Sequence, residues 1–336
     1  MNKMHLFVSE YGQFIGKKSE RLVVSSKGKV VQEIPFRDLT QVTIASRGVS
    51  ISTDAIEGCI EFGVPVNFLS FNGKPYAMLI SPVLNATVTT RREQLKAYDD
   101  ERGVYLAKAF VAGKIGNQAN LVKYFAKHRK EKDIYPTLMA NAREIEDLKN
   151  QVDAVEGSTV NDVRPYLMNL EGRAAAIYWQ DIGEIAVGEE FNGRKHRGAQ
   201  DPFNACLNYG YGILYNQVWG AILLAGLEPF AGFLHVDRPG KPSLVLDMVE
   251  EFRPAAVDRP IVALLSRGWR PKLEEDGGMT RESRREVADA VLTRLDGKER
   301  YDGEKRSIKH IIVSQARRVA AYLRGERNYS AFVSSW

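Results

Sequence analysis

The strongest constraint in this sequence is a change of period near residue 85. Before it, apolar residues alternate or cluster in short runs at residues 6–8, 21–25, 30–34, 41–44, 66–71 and 76–80. Beyond Pro82 they recur at three- and four-residue spacing through long segments rich in Ala, Leu, Arg, Lys and Glu. A period of two buries the face of a strand, and a period of 3.6 buries the stripe of a helix. The pattern therefore predicts an α+β chain, with a small β-rich domain at residues 1–85 and a larger, mainly α-helical domain at residues 86–336.

Turn chemistry supports the first part. Residues 26–29, Ser-Lys-Gly-Lys, suit a tight hairpin, and Asn72-Gly73 is a second turn signal. One helix is expected among the strands at residues 53–62, capped by Thr53, carrying Ile56 and Ile60, and stopped by Gly63. No catalytic constellation falls in this part, so a scaffolding or dimerisation role is expected of it. In the second part, residues 91–113, 117–128 and 136–155 read as successive helices, the last with Leu138, Ala142, Ile145 and Leu148 near one face.

The chain has 336 residues, 44% hydrophobic and 26% charged, which excludes disorder as the default. Lys and Arg total 47 against 42 Asp and Glu; the net charge of +5 and the pI near 9.0 are compatible with a polyanionic partner. Cys59 and Cys206 lie far apart without metal-knuckle spacing and read as buried thiols. The start of the chain has no secretory pattern, and the apolar stretch 205–227 is broken by Asn208, Asn216 and Gln217. A cytoplasmic protein with no membrane partner is expected.

Chemistry concentrates between Gly232 and Arg253. His235 precedes a Pro/Gly turn, and a helix should restart after it, with Ser243 as cap and Val245, Met248, Val249 and Phe252 as its buried stripe. Asp247, Glu250 and Glu251 then share the other side. Asp247 and Glu250 are helical neighbours, which brings like charges together unless a cation lies beside them. A solvated acidic face, with Arg253 pairing Glu250, accounts for the same pattern.

Glu171 stands out in a second segment. Residues 159–179 begin with a possible capping box, Thr159 with Asp162, and continue as a helix carrying Leu167, Leu170, Ala174 and Ile177. Small residues follow Glu171, so its carboxylate should be partly enclosed and need a partner. Arg164 or Arg173 could serve, as could a divalent cation shared with His235 and Glu250. Such an oxygen and nitrogen set suits Mg²⁺ or Mn²⁺ better than structural zinc.

Taken in order, NLEGRAAAIYW around Glu171, DPFNACLNYGYGILY from Asp201, and GFLHVDRPGKPSLVLDMVEEFRP resemble the CRISPR-associated adaptation integrase family over nearly the whole chain. The resemblance implies a metal-dependent DNA endonuclease that joins prespacer 3′-hydroxyl ends to the CRISPR repeat by transesterification. It implies a metal and catalytic triad of Glu171, His235 and Glu250, with Asp247 as auxiliary ligand or supporting group. Double-stranded and branched DNA, a homodimer, and a small ferredoxin-like adaptation protein bridging two dimers are the partners it implies.

Arg238, Lys241 and Arg253 are candidate DNA contacts near these ligands, with local salt bridges to Asp237, Asp247 or Glu251 as the competing role. A basic cluster at Arg194, Lys195, His196 and Arg197 faces either phosphates or water. The last helix, about 305–324, carries Ile308, Ile311, Ile312, Val319 and Leu323 on one face, with Lys309, Arg317 and Arg318 elsewhere. The aromatic tail, Tyr329, Phe332 and Trp336, either docks on a partner or stays mobile. A stand-alone metal-dependent nuclease and a noncatalytic DNA-binding scaffold are the competing functions.

Overall fold

The structure is a computed structural model that describes residues 4–70, 73–79, 81, 88–187, 191–195, 201–275 and 278–335. Asn72 of the second expected turn, the stretch 82–87 at the change of period, His196, Arg197 and Trp336 lie outside the described residues. The chain is α+β, a β-rich N-terminal region followed by a helical one.

Among the described residues, two four-stranded sheets build the first region. One has the order β4 (Lys29–Pro35), β3 (Arg21–Ser26), β2 (Gln13–Lys18), β6 (Ser50–Ile51), and the other β1 (Met4–Val8), β5 (Leu39–Ile44), β7 (Val66–Leu69), β8 (Pro75–Leu79). The β3–β4 hairpin closes as its sequence predicts: Ser26 pairs with Lys29, and Lys27 and Gly28 have φ of 49° and 74°, the mirror-image turn that matches strand twist. Strand β2 was not expected, because Gln13 and Ile15 turn inward while Phe14 is exposed, which inverts the apparent apolar pattern.

Helix α1 (Thr53–Glu61) is capped by Ser52, which accepts the Ala55 N–H at 3.2 Å, one residue before the expected Thr53. It buries Ala55, Gly58 and Cys59 rather than Ile56 and Ile60. Phe36 lies so close to Gly58 that a Cβ there would sit 2.5 Å from the ring, so the small face packs inward.

The helical region differs from the expected segmentation at its start. Helix α2 (Val88–Ala97) ends early, and α3 (Glu101–Ala126), capped by Asp100, runs unbroken through Gly113 and Gly116. Those glycines make room for packing instead of ending a helix: a Cβ on Gly113 would meet Ala331 at 2.6 Å. Helices α4 (Tyr135–Asp153) and α5 (Val160–Val187) pack against α3, with the predicted stripe of Leu138, Ala142, Ile145 and Leu148 buried. At the start of α5, Asp162 accepts the Thr159 N–H at 2.9 Å, the backward bond of a capping box.

Helix α6 (Pro202–Leu224) covers the apolar stretch as a buried helix, capped by Asp201. Among the described residues no helix is long and apolar enough to cross a membrane. Both cysteines are buried and free. Then follow α7 (Ser243–Glu250), a π-helical turn at Pro254–Asp258, α8 (Arg259–Ser266) and α9 (Arg281–Asp296). The π turn begins where Pro254 has no N–H to give to the Glu250 carbonyl.

A hairpin of β9 (Lys298–Tyr301) and β10 (Glu304–Ser307) shortens the last helix, α10 (Ile308–Leu323), at its front. Asp302 and Gly303 make that turn, with φ of 51° and 79°. The expected apolar face of α10 is buried, Lys309 pairs with Asp296, and Arg318 pairs with Asp302. The tail docks on its own chain: Tyr329 and Phe332 are buried.

Buried apolar residues form two clusters, one within the N-terminal sheets and one among the helices. The second takes in Ala45 and Leu69 from the sheets, and Gln217 of α6 donates to Gln41 of β5 at 2.7 Å.

Candidate active site

Helices α3, α5 and α7 meet at a buried charged cluster. Helix α7 is fixed by Val245, Met248, Val249 and Phe252, all at most 2% exposed. Each such side chain contributes about 1.5–3 kcal/mol of burial, enough together to hold polar neighbours in an enclosed position. The solvated acidic face that the pattern also allowed is not formed, although its Arg253–Glu250 pair is: Asp247 and Glu251 are fully buried and Glu250 is 4% exposed.

The segment leading to His235 is pinned residue by residue. Gln94 of α2 accepts the Glu228 N–H at 2.8 Å and donates to the Ala231 carbonyl at 2.7 Å. Ser243, expected to cap α7, instead accepts the Gly232 N–H at 2.8 Å, and the cap position falls to Pro242. A Cβ on Gly232 would lie 2.7 Å from an Asp247 oxygen, so only glycine allows this approach. Arg164 of α5 donates to the Leu234 carbonyl at 2.8 Å and lies 5.9 Å from the Tyr98 ring centre.

Asp247 completes the pinning. It accepts the backbone N–H groups of Phe233, Leu234 and His235 at 2.6, 2.9 and 2.8 Å, and its Oδ1 lies 2.8 Å from His235 Nδ1. An ionised carboxylate can only accept, so Nδ1–H donates to Asp247, and Nε2 is the ring nitrogen left for another partner. Asp247 is thus engaged by backbone and imidazole and acts as the group that orients His235.

Glu171 is paired by Lys114 of α3, not by Arg164 or Arg173. The Lys114 ammonium also lies 2.5 Å from Glu250 Oε2, while Glu250 Oε1 is 3.2 Å from Arg253. Burial alone would raise the Glu250 pKa, but Arg253, Lys114 and His235 outweigh it and hold the carboxyl at about 2. Burial likewise works against the charge on Lys114, and Glu250 and Glu171 reverse that, raising its pKa. Glu250 and Lys114 are therefore both held in their charged forms.

Arg253 packs over Tyr211 of α6, 4.7 Å from the ring centre, and Arg194 lies 5.2 Å from the same ring. Tyr211 and Tyr178 both donate to Asp258, at 2.5 and 2.6 Å. Arg194 also donates to Asn204 and Asn208 of α6, so this member of the basic cluster turns inward. Arg238 and Lys241 sit at the ends of a tight turn closed by the Lys241 N–H to the Arg238 carbonyl, 2.9 Å. Their proposed acidic partners are engaged elsewhere: Asp237 by Ser243, Asp247 by His235, Glu251 by the tail.

The donor chemistry fits a hard divalent ion: two carboxylates share one cation, an imidazole is fixed close by, and the buried Glu250 Oε2 has an ionic contact but no aligned hydrogen bond. Among the described residues no three such donors already converge on one point, because Lys114 stands between the two glutamates. Lys114 was not read from the sequence. Its helical neighbours Phe110, Val111, Asn117 and Gln118 are all buried, but only Phe110 and Val111 are types that signal a buried stripe. Arg164, Tyr178 and Asp258 carry no comparable local signal, since their partners are distant in sequence.

Comparison with known proteins adds the lineage. Residues 6–292 match the family described as CRISPR associated protein Cas1. A CRISPR-associated endonuclease Cas1 of Archaeoglobus fulgidus is 40% identical over 99% of this chain and 100% of its own length. One of Francisella tularensis subsp. novicida is 35% identical over 99% of each chain. A casposase bound to integration product shares the fold, with a TM-score of 0.81 and 22% identity, over 98% of this chain and 93% of its own. The match along nearly the whole length, at such identity to proteins carrying that name, makes this chain a member of the CRISPR-associated Cas1 family.

Proposed function

We propose that the chain is a CRISPR spacer-acquisition integrase, a metal-dependent DNA endonuclease that joins prespacer 3′-hydroxyl ends to the CRISPR repeat by transesterification. The observation that supports this most is the enclosed cluster of Glu171, His235 and Glu250, drawn from α5, the loop before α7, and α7, in a chain of this family. Glu171, Glu250 and the free Nε2 of His235 would hold Mg²⁺ or Mn²⁺. When bound, the ion supplies Lewis-acid stabilisation to the phosphate and to the attacking or leaving oxygen.

The chain's own residues supply position and charge. Asp247 fixes the imidazole so that its lone pair is ready without reorganisation. Arg253, stacked on Tyr211, offers a guanidinium beside Glu250 to a phosphodiester oxygen. Arg238 and Lys241 would contact the DNA backbone from the turn after His235.

In this reading the division falls near residue 85, and the β-rich part carries a homodimer contact. Exposed apolar side chains there support it: Tyr11, Val30, Val31 and Tyr76 are 55–78% exposed. A small ferredoxin-like adaptation protein would bridge two dimers in the cytoplasm. Incubation with a supercoiled CRISPR plasmid and short duplex DNA, with and without Mg²⁺ or Mn²⁺, tests the activity. Covalently joined, branched product that requires the ion supports integration; shortened strands alone indicate a stand-alone nuclease, and binding without reaction indicates a scaffold.

A further inference from the structure

Lys114 touches both Glu171 and Glu250, and no motif in the sequence gives it a task. We propose that Lys114 is the resident counter-cation of the metal-free site, and that a divalent ion gains Glu171 and Glu250 by exchange with its ammonium. The inference rests on the metal reading above and adds how the site is held before loading.

Three observations carry it. The first is enclosure: Lys114, Glu171 and Glu250 side chains are 13, 17 and 5% exposed, too little for water to screen two neighbouring carboxylates. Without a positive group between them, α5 and α7 would be driven apart or one acid would take up a proton. The second is that an ammonium and a hard divalent ion seek the same carboxylate lone pairs, so one position excludes full occupancy by the other. The third is the contrast with Arg253. Its guanidinium packs over Tyr211 and pairs with Glu250 Oε1, whereas Lys114 has a flexible four-carbon stem that can withdraw without moving α3.

Exchange has a consequence that a purely structural lysine would not produce. The metal-free protein is stable with its acids paired, yet every binding event must first break two ion pairs. Apparent metal affinity is therefore lower than the bare ligand set would give. Removing the ammonium should loosen the metal-free protein and tighten the metal.

The test compares Lys114→Met, which keeps length and packing, with Lys114→Arg, which keeps the charge. Mn²⁺ binding is measured by calorimetry, and melting temperature with and without Mn²⁺, at a pH of about 8, where protons do not replace the cation. The expected result is a lower melting temperature for Lys114→Met without metal and a Kd for Mn²⁺ at least about tenfold tighter than the parent's, a difference of about 1.4 kcal/mol. Lys114→Arg should bind Mn²⁺ no more tightly than the parent. If Lys114→Met folds only when Mn²⁺ is present, that also supports exchange, and Lys114→Gln then supplies the affinity.

A folded Lys114→Met that binds Mn²⁺ as the parent does, or more weakly, overturns the proposal. Glu171→Gln and Glu250→Gln separate this from failure of the metal reading. If the parent's Mn²⁺ binding survives both, the ion is not held here, and the functional site falls with the exchange. If both abolish it while Lys114→Met leaves it unchanged, only the exchange is wrong.

Discussion

Glu250 and Glu251 are adjacent, identical and both buried, yet they serve opposite ends. Glu250 faces Lys114, Arg253 and His235, and its carboxyl is held at about 2. Glu251 points into the body of the protein, where burial pushes its carboxyl up to about 8 despite hydrogen bonds from the Phe332 N–H, Tyr329 and Gln315. Around one turn of chain, one side faces a cluster of charged side chains, and the other is a polar knot that ties down the tail. Asn117 extends the knot, donating to the Glu251 and Phe332 carbonyls and accepting the Ser334 N–H. What separates the two glutamates is the neighbouring cations, not their depth: buried acids ionise only where positive charge offsets desolvation.

The largest expected effect breaks this pair apart functionally. Glu171→Ala, His235→Ala and Glu250→Ala should each reduce strand joining by more than about 100-fold, because a lost ligand exceeds the effect of a lost supporting group. Glu251→Gln, a near isostere of the uncharged acid, should leave joining close to normal. Glu251→Ala should act on the fold instead, costing about 1–3 kcal/mol as the Phe332 N–H and Tyr329 hydroxyl lose their acceptor. Strand-transfer gels and chemical denaturation read the two properties separately. Normal joining by any two of the first three variants would sink the site assignment, and a catalytic collapse in a stable Glu251→Gln would erase the contrast.

Asp247 sharpens the comparison from a third position: it is as buried as Glu251 but engaged by three backbone N–H groups and an imidazole. Asp247→Asn turns an acceptor-only group into one whose amide opposes those donors. Joining should fall about 10–100-fold, with Mn²⁺ affinity falling in step, as befits a residue that orients a ligand. Affinity equal to the parent's would mean that His235 does not depend on Asp247 for its orientation.

These relations explain which parts of the molecule can be read from sequence. The buried stripe of α7, the apolar face of α10 and the β3–β4 turn were legible because each is a local pattern. Strand β2 and the unbroken run of α3 through Gly113 were not, because an outward Phe14 and an inward Gly113 reverse the usual signs and respond to partners elsewhere in the chain. The identity of Glu171, His235 and Glu250 as chemically unusual residues came through motif and resemblance. Lys114 and the fate of the tail did not, since the first meets Glu171 across 57 residues and the second meets Glu251 across 81. Local periodicity cannot report such pairings. Nor could it divide the acidic side of α7 into one ionised, one orienting and one uncharged carboxyl.

The smallest effect tests the rule itself at a carboxylate far from the site. Asp181 on α5 is 2% exposed; its Oδ1 accepts from Asn141 at 2.7 Å, and its Oδ2 has no hydrogen bond. Among the described residues no cation is paired with it as Lys114 and Arg253 are with Glu250. Burial raises its pKa from 3.8 to about 6, opposed by the Asn141 hydrogen bond and aided by Glu184. Since the folded value lies above the unfolded one, the bound proton stabilises the fold: that contribution is complete below 3.8 and is lost as pH rises through about 6. Asp181→Asn has no such proton, so the stability difference should move in favour of the variant by on the order of 1 kcal/mol between pH values of about 4 and about 7. The difference matters and not the absolute value, because the new amide brings its own unpaired donor at every pH. Urea midpoints at the two pH values measure it. A difference that stays constant would show that burial without a nearby cation does not hold a carboxyl uncharged in this protein, and the explanation offered for Glu251 would lose its physical basis.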